Sequence, residues 1–185
     1  ELVPQSFSPW VEDPFAVENI LELCTGSGCL AIMMADAFPN AVVDAVDIST
    51  DALAVAERNI REYKLEGRVN PIVSDLYENV PFKKYNLIVT NPPYVNSESM
   101  STLPEEYLRE PQIALHGGAD GMDLVRKIIQ GAAERLTPDG ILMVEIGNER
   151  DYAEAAFGHL GLTWVTTSAG DDMVFLLTAE QLQQA

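Results

Sequence analysis

Asn19-Ile20-Leu21-Glu22-Leu23-Cys24-Thr25-Gly26-Ser27-Gly28-Cys29-Leu30-Ala31-Ile32-Met33-Met34-Ala35 changes character twice within one short stretch. Asn19–Leu23 reads as a strand, Cys24–Gly28 as a turn of small residues, and Cys29–Phe38 as a helix that stops before Pro39. A strand, a glycine loop and a helix in that order form the nucleotide-cradling unit of the doubly wound α/β folds. Glycine tolerates positive φ and lets the backbone come close to a ligand. Gly26, Gly28 and Ala31 formally fit G-x-G-x-x-A, and Asp47 stands close to the position, about twenty residues on, where an acid binds ribose hydroxyls.

Working outward, the βα alternation continues. Ala41–Val46 is a second strand ended by Asp47, and Ser49 or Thr50 can cap a helix running to about Tyr63. Val69–Val73 is a third strand, ending at Ser74-Asp75-Leu76, and Tyr85–Thr90 a fourth. Residues 95–121 form a polar, glycine-bearing connection, long enough to predict a lid or a substrate-facing insertion. Met122–Leu136 reads as a helix, Pro138-Asp139-Gly140 as a turn, Ile141–Ile146 as the fifth strand, and Glu149 to about Gly158 as a short helix. Leu162–Thr167 and Met173–Leu177, joined by Gly170-Asp171-Asp172, predict two antiparallel strands, and the polar tail from Ala179 suits a short helix. The outcome is a mostly parallel sheet with one antiparallel strand at its end. Residues 1–18, with Pro4, Pro9 and Pro14, read as an irregular or partly helical entry segment ahead of a single domain over 19–185.

The fourth strand runs into Asn91-Pro92-Pro93-Tyr94. Each proline fixes its own φ and pushes the residue before it to extended geometry. Asn91 is therefore held with its carboxamide at the carboxyl edge of the sheet, where ligands bind in open α/β folds. A carboxamide oxygen together with a free carbonyl at Pro92 can accept both hydrogens of a planar NH2 group. Tyr94 can supply an aromatic wall.

The glycine loop alone leaves two cofactors open. NAD and S-adenosyl-methionine both set a glycine loop and a strand-two acid against the ligand. The Asn-Pro-Pro-Tyr loop, the antiparallel ending and the lack of a hydride-transfer acid/base pair favour the methyl donor over a dehydrogenase. An adenine-type exocyclic amine would suit the same loop, so a nucleic-acid amino methyltransferase is a further alternative. Against it stands a net charge of −18 from 29 acidic and 11 basic residues in 185, since phosphate-driven contact needs clusters of Lys and Arg. The same charge suits a basic protein partner.

Hydrophobic content of 47% with 22% charged residues is ordinary for a soluble domain. No apolar run approaches the ~18 residues of a membrane span, and nothing at the N-terminus resembles a signal peptide. Cytoplasmic location and no membrane association are expected. The two cysteines, Cys24 and Cys29, lack the spacing of a zinc or redox pair, and His116 and His159 have no companion ligands, so no metal site is expected. The chain starts at Glu1 and not at Met, which suggests a piece of a longer protein.

Leu23–Cys29, Asp44-Ala45-Val46-Asp47-Ile48-Ser49, Ser74-Asp75-Leu76 and Asn91-Pro92-Pro93-Tyr94-Val95 resemble the HemK-type protein glutamine methyltransferases, as do Glu110-Pro111, Ala114-Leu115 and Gly118-Ala119-Asp120-Gly121. The resemblance extends in order over nearly the whole chain. It is strongest to the branch that methylates a glutamine in the third protein of the large ribosomal subunit, with the release-factor branch close behind. It implies the class I methyltransferase fold, a seven-stranded sheet with helices on both faces. It implies S-adenosyl-methionine held by Cys24, Thr25, Gly26, Ser27, Gly28, Asp47, Ile48 and Asn91, adenine against Asp75 and Leu76, and the acceptor amide held by Asn91, Pro92, Pro93 and Tyr94. The implied partner is a basic ribosomal protein or a release factor, without direct nucleic-acid binding. The family's helical N-terminal recognition domain and the Pro-Arg motif after it have no counterpart in this sequence, so the resemblance is to an isolated catalytic domain.

Overall fold

The computed structural model describes residues 2–97, 115–168 and 170–184. The lid expected over 95–121, with Glu110, Pro111 and Ala114, lies largely outside the described residues.

The glycine-loop unit forms as the sequence predicts. β1 is Asn19–Leu23 and α1 is Cys29–Ala37, with Phe38 as its cap before Pro39. β2 is Val42–Asp47, followed by α2, Thr50–Glu62, whose N-cap Ser49 accepts the Ala52 N–H at 3.2 Å. β3 is Val69–Val73, β4 is Tyr85–Thr90 and α3 is Asp123–Ala132. β5 is Leu136–Glu145, α4 is Arg150–Phe157, β6 is Thr163–Trp164, β7 is Val174–Thr178 and α5 is Ala179–Gln183. The entry segment contributes two single turns, Val3–Gln5 and Pro14–Ala16.

The seven strands lie in the order β3-β2-β1-β4-β5-β7-β6. All pairs from β3 to β5 are parallel, and β7 is antiparallel to both its neighbours. The antiparallel strand is the last of the seven in sequence yet lies inside the sheet, one place from its edge. Successive side chains alternate between faces, and each face has its own core. Leu21, Leu23, Ile88, Val144 and Phe175 pack beneath α3, α4 and α5. Ile20, Val43, Val89, Met143 and Leu176 pack beneath α1, the end of α2 and the entry residues Val3 and Phe7. Burial on both faces accounts for the near-continuous apolar runs of β1 and β4.

Three boundaries differ from expectation. The helix expected to reach Leu136 ends at Ala132, because Arg135 is drawn off the helix. Its guanidinium donates to the carbonyls of Tyr77 (3.2 Å) and Pro81 (3.3 Å) and lies over the Tyr77 and Phe82 rings, while its own carbonyl accepts the Tyr85 N–H at 2.7 Å. The expected turn at Pro138-Asp139-Gly140 is a bulge within β5, since Tyr85 faces Leu136 but Leu87 faces Ile141. The sixth strand shrinks from Leu162–Thr167 to Thr163–Trp164, because Thr167 is turned back to bond Gly170.

Candidate active site

The parallel strands deliver their carboxyl ends to one edge, and a cleft of about 620 Å³ opens there. Cys24, Gly26 and Ser27 from the glycine loop, Asp47 and Ile48 from the end of β2, Asp75 and Leu76 after β3, and Asn91 and Pro93 after β4 all line it. Residues far apart in sequence are thus brought together by topology alone.

The glycine loop is held from several sides. Gly26 N–H donates to Asp47 Oδ2 at 2.8 Å, and Ser49 N–H donates to Oδ1 at 2.9 Å. Each carboxylate oxygen can accept a second bond, so Asp47 keeps accepting capacity toward the cleft it lines. Asn59 of α2 donates to the Ser27 carbonyl at 2.9 Å. Gly28 caps α1 at φ +78°, where an added Cβ would lie 3.0 Å from that of Ala56. Thr25 is buried, and its hydroxyl donates to Glu22 beneath the loop. Thr25 and Gly28 therefore shape the loop without lining the cleft. Cys24 and Leu76 both adopt positive φ, +59° and +46°, uncommon for residues with a side chain and concentrated at functional sites. Burial first, then the nearby Asp47, pushes the Cys24 thiol up to about 12, which keeps it protonated and unreactive.

The cleft also has walls that the strand-end logic does not reach. Val46, Ser49, Ala52 and Val55 flank Asp47, and Leu124 and Lys127 of α3 close the side opposite. Ile48, Val55, Leu76 and Leu124 give the cleft apolar surface, and Asp75 adds a carboxylate to its lining.

A second cleft, about 260 Å³, lies on the other face of the sheet. Leu2, Val3, Phe7, Leu30, Val89 and Met143 make it mostly apolar, and Asn91 and Glu145 are among its polar groups. Asn91 is the one described residue that lines both clefts.

The Asn-Pro-Pro-Tyr loop divides its labour. Asn91 is exposed, Pro92 is buried and lines neither cleft, and Pro93 lines the larger one. Tyr94 is not in either wall. Its ring sits on the inner core and against Gly147, where an added Cβ would come within 2.6 Å of the ring. Downstream, Val95 N–H bonds the Leu115 carbonyl (2.8 Å) and Gly117 N–H bonds the Val95 carbonyl (3.0 Å). Buried Asn96 donates to Glu149 at 2.8 Å. The segment carrying Gly117, Gly118 and Gly121 is thereby laid along the loop.

The family model for the methyltransferase small domain matches residues 11–116. A ribosomal protein uL3 glutamine methyltransferase of Burkholderia pseudomallei is 57% identical over 189 residues, covering 98% of this chain and 62% of the relative. Its counterpart from Bordetella pertussis is 54% identical over 182 residues, covering 98% and 61%. The chain spans about three fifths of the length of these curated relatives. Among solved structures, a ribosomal protein L11 methylase from Lactobacillus delbrueckii subsp. bulgaricus is similar with a TM-score of 0.61 at 20% identity, covering 95% of this chain and 73% of that one. That likeness concerns the fold.

Proposed function

The chain belongs to the methyltransferase small domain family, and from that membership we propose that it methylates the side-chain amide nitrogen of a protein glutamine, with S-adenosyl-methionine as donor and ribosomal protein uL3 as acceptor. The observation that carries this reading is the position of Asn91 in the walls of both clefts. One residue with a carboxamide stands where a donor in the larger cleft and an acceptor in the smaller one would meet. The names of the relatives, ribosomal protein uL3 glutamine methyltransferase, support that choice of acceptor.

The residues present fit the donor. Asp47 has lone pairs to spare for a ribose diol, the apolar surface of Ile48, Val55, Leu76 and Leu124 suits a flat base, and Asp75 can accept from its amino group. When bound, the donor supplies an electrophilic methyl group on a sulfonium. Asn91 then accepts one hydrogen of the acceptor amide, fixing the nitrogen in line with the methyl group. Positioning of this kind supplies up to roughly 7–11 kcal/mol of a barrier. An overall acidic chain suits a basic acceptor.

The test is single-turnover methyl transfer to uL3 and to release factor, read by mass spectrometry, beside calorimetric titration of the donor. We expect one methyl group on a uL3 glutamine. Asn91→Ala should leave donor affinity within about threefold and abolish transfer, whereas Asp47→Ala should weaken the donor by roughly 1.5–3 kcal/mol. Full transfer by Asn91→Ala would refute the amide-holding role, and tight NAD binding without response to S-adenosyl-methionine would refute the methyl-transfer reading.

A further inference from the structure

The neighbour of Asn91 at the sheet edge is a carboxylate. In the parallel ladder Thr90 stands opposite Val144, so Asn91, one residue past the end of β4, comes beside Glu145, the last residue of β5, on strands about 4.8 Å apart. Alternation puts both on the face of Val89 and Met143, and all four line the smaller cleft. Among the described residues, no hydrogen bond or ion pair engages the Glu145 side chain, and the other residues lining the cleft, from the entry segment, α1, β4, Thr167 and β7 with the Met173 before it, carry no ionisable group. Glu145 is exposed as a residue, but partial desolvation by these apolar walls raises its carboxyl above the usual carboxylate range, with no charged neighbour contributing to the shift. An unpaired carboxylate at the mouth of an apolar cleft is free to accept a hydrogen-bond donor or a proton from a molecule bound there.

The chemistry of the reaction provides one. An amide nitrogen delocalises its lone pair into the carbonyl, and methylation turns it into a cation that must lose a hydrogen. Neither a carboxamide nor a peptide carbonyl is basic enough to retain that proton. We propose that Glu145 is a catalytic residue, the proton acceptor for the amide nitrogen held at Asn91; this rests on the methyl-transfer reading above. The nitrogen lone pair forms the N–C bond as the S–C bond breaks, and the S–C electron pair stays on sulfur. As the nitrogen becomes tetrahedral, one N–H breaks, its electrons return to nitrogen, and the proton passes to a Glu145 oxygen. Neutral amide, sulfonium cation and carboxylate become neutral N-methyl amide, thioether and carboxylic acid, with charge conserved. Before transfer the carboxylate also offsets the sulfonium charge.

Single-turnover transfer to uL3 at saturating donor and acceptor tests this with the whole chain. Glu145→Gln keeps the shape and loses the basicity. Its saturated rate should fall on the order of 10²-fold while donor affinity and acceptor half-saturation stay within about threefold. The wild-type rate should fall as the pH drops through the elevated pKa of the Glu145 carboxyl, and Glu145→Gln should lack that limb. Glu145→Ala should recover transfer on addition of formate, which restores a carboxylate without restoring a side-chain contact. A saturated rate for Glu145→Gln within about threefold of wild type, or a loss confined to acceptor half-saturation, overturns the proposal. If the wild-type chain methylates no glutamine at all, the methyl-transfer reading falls with it; if it methylates normally and only the variant result fails, the reading stands without Glu145.

Discussion

Glu22 lies directly under the glycine loop, 3% exposed, receiving the Thr25 hydroxyl bond. Burial pushes its carboxyl up to about 8, with Asp47 adding a little and the Thr25 bond pulling the other way. Glu22 is therefore mostly protonated at neutral pH, and its neutral form fits the fold better than the charged one. The sign follows by linkage: the folded pKa is raised, so the contribution to stability is complete below the unfolded carboxylate value of about 4.5 and is lost as pH rises through about 8. Melting temperatures between about pH 5 and 9 should fall with rising pH in the wild type, and Glu22→Gln should flatten that fall while keeping donor binding. An unchanged slope in the variant would place the pH dependence elsewhere. The sequence carried a signal for this residue, a single acid in an otherwise apolar strand. Strand composition alone does not say whether such an acid points to solvent or to the core.

At the level of elements, the contact between the Asn-Pro-Pro-Tyr loop and the glycine segment after it decides how rigidly Asn91 is presented. Gly121 has φ +79°, and a Cβ there would lie 2.1 Å from the Tyr94 carbonyl oxygen. Backbone meets backbone, so no side-chain rotation relieves the clash. Gly121→Ala should cost about 1–3 kcal/mol in denaturant melts. It should also depress methyl transfer more than donor affinity, because the displaced strand of loop bears Asn91 and not the Asp47 side of the cleft. Equal losses in both would contradict that division. What the sequence revealed follows the same geometry. Asp47, Asp75 and Asn91 were legible because each ends a strand, and parallel topology gathers strand ends at one edge. Lys127, Leu124, Val55 and Asn59 were not, because they come from helix faces whose rotation is set by packing. The β5 bulge was hidden because Pro138-Asp139-Gly140 has the chemistry of a turn, and only the hold on Arg135 from the preceding loop keeps it within a strand. The seat of the Tyr94 ring could not be read from sequence, since the space that receives it is created by Gly147, more than fifty residues later.

Over the whole molecule the charge of −18 is the dominant long-range feature. Association with a basic acceptor protein should slow roughly tenfold or more between low and high salt, measured by stopped-flow fluorescence, with the single-turnover rate at saturation nearly unaffected. Random-sequence DNA should show no binding at moderate salt by fluorescence anisotropy. A micromolar, salt-steep DNA interaction would reverse the choice of a protein acceptor. No described helix is long and apolar enough to cross a membrane. The sheet itself acts as a partition: the larger cleft opens on the side of α3, the smaller on the side of α1 and the entry segment, and Asn91 is the window between them. On the methyl-transfer reading, donor and acceptor use separate doors. Neither need wait for the other, so arrival is unordered. Spent donor can be exchanged while the partner protein is still docked, and the slower of two independent departures sets the pace of turnover.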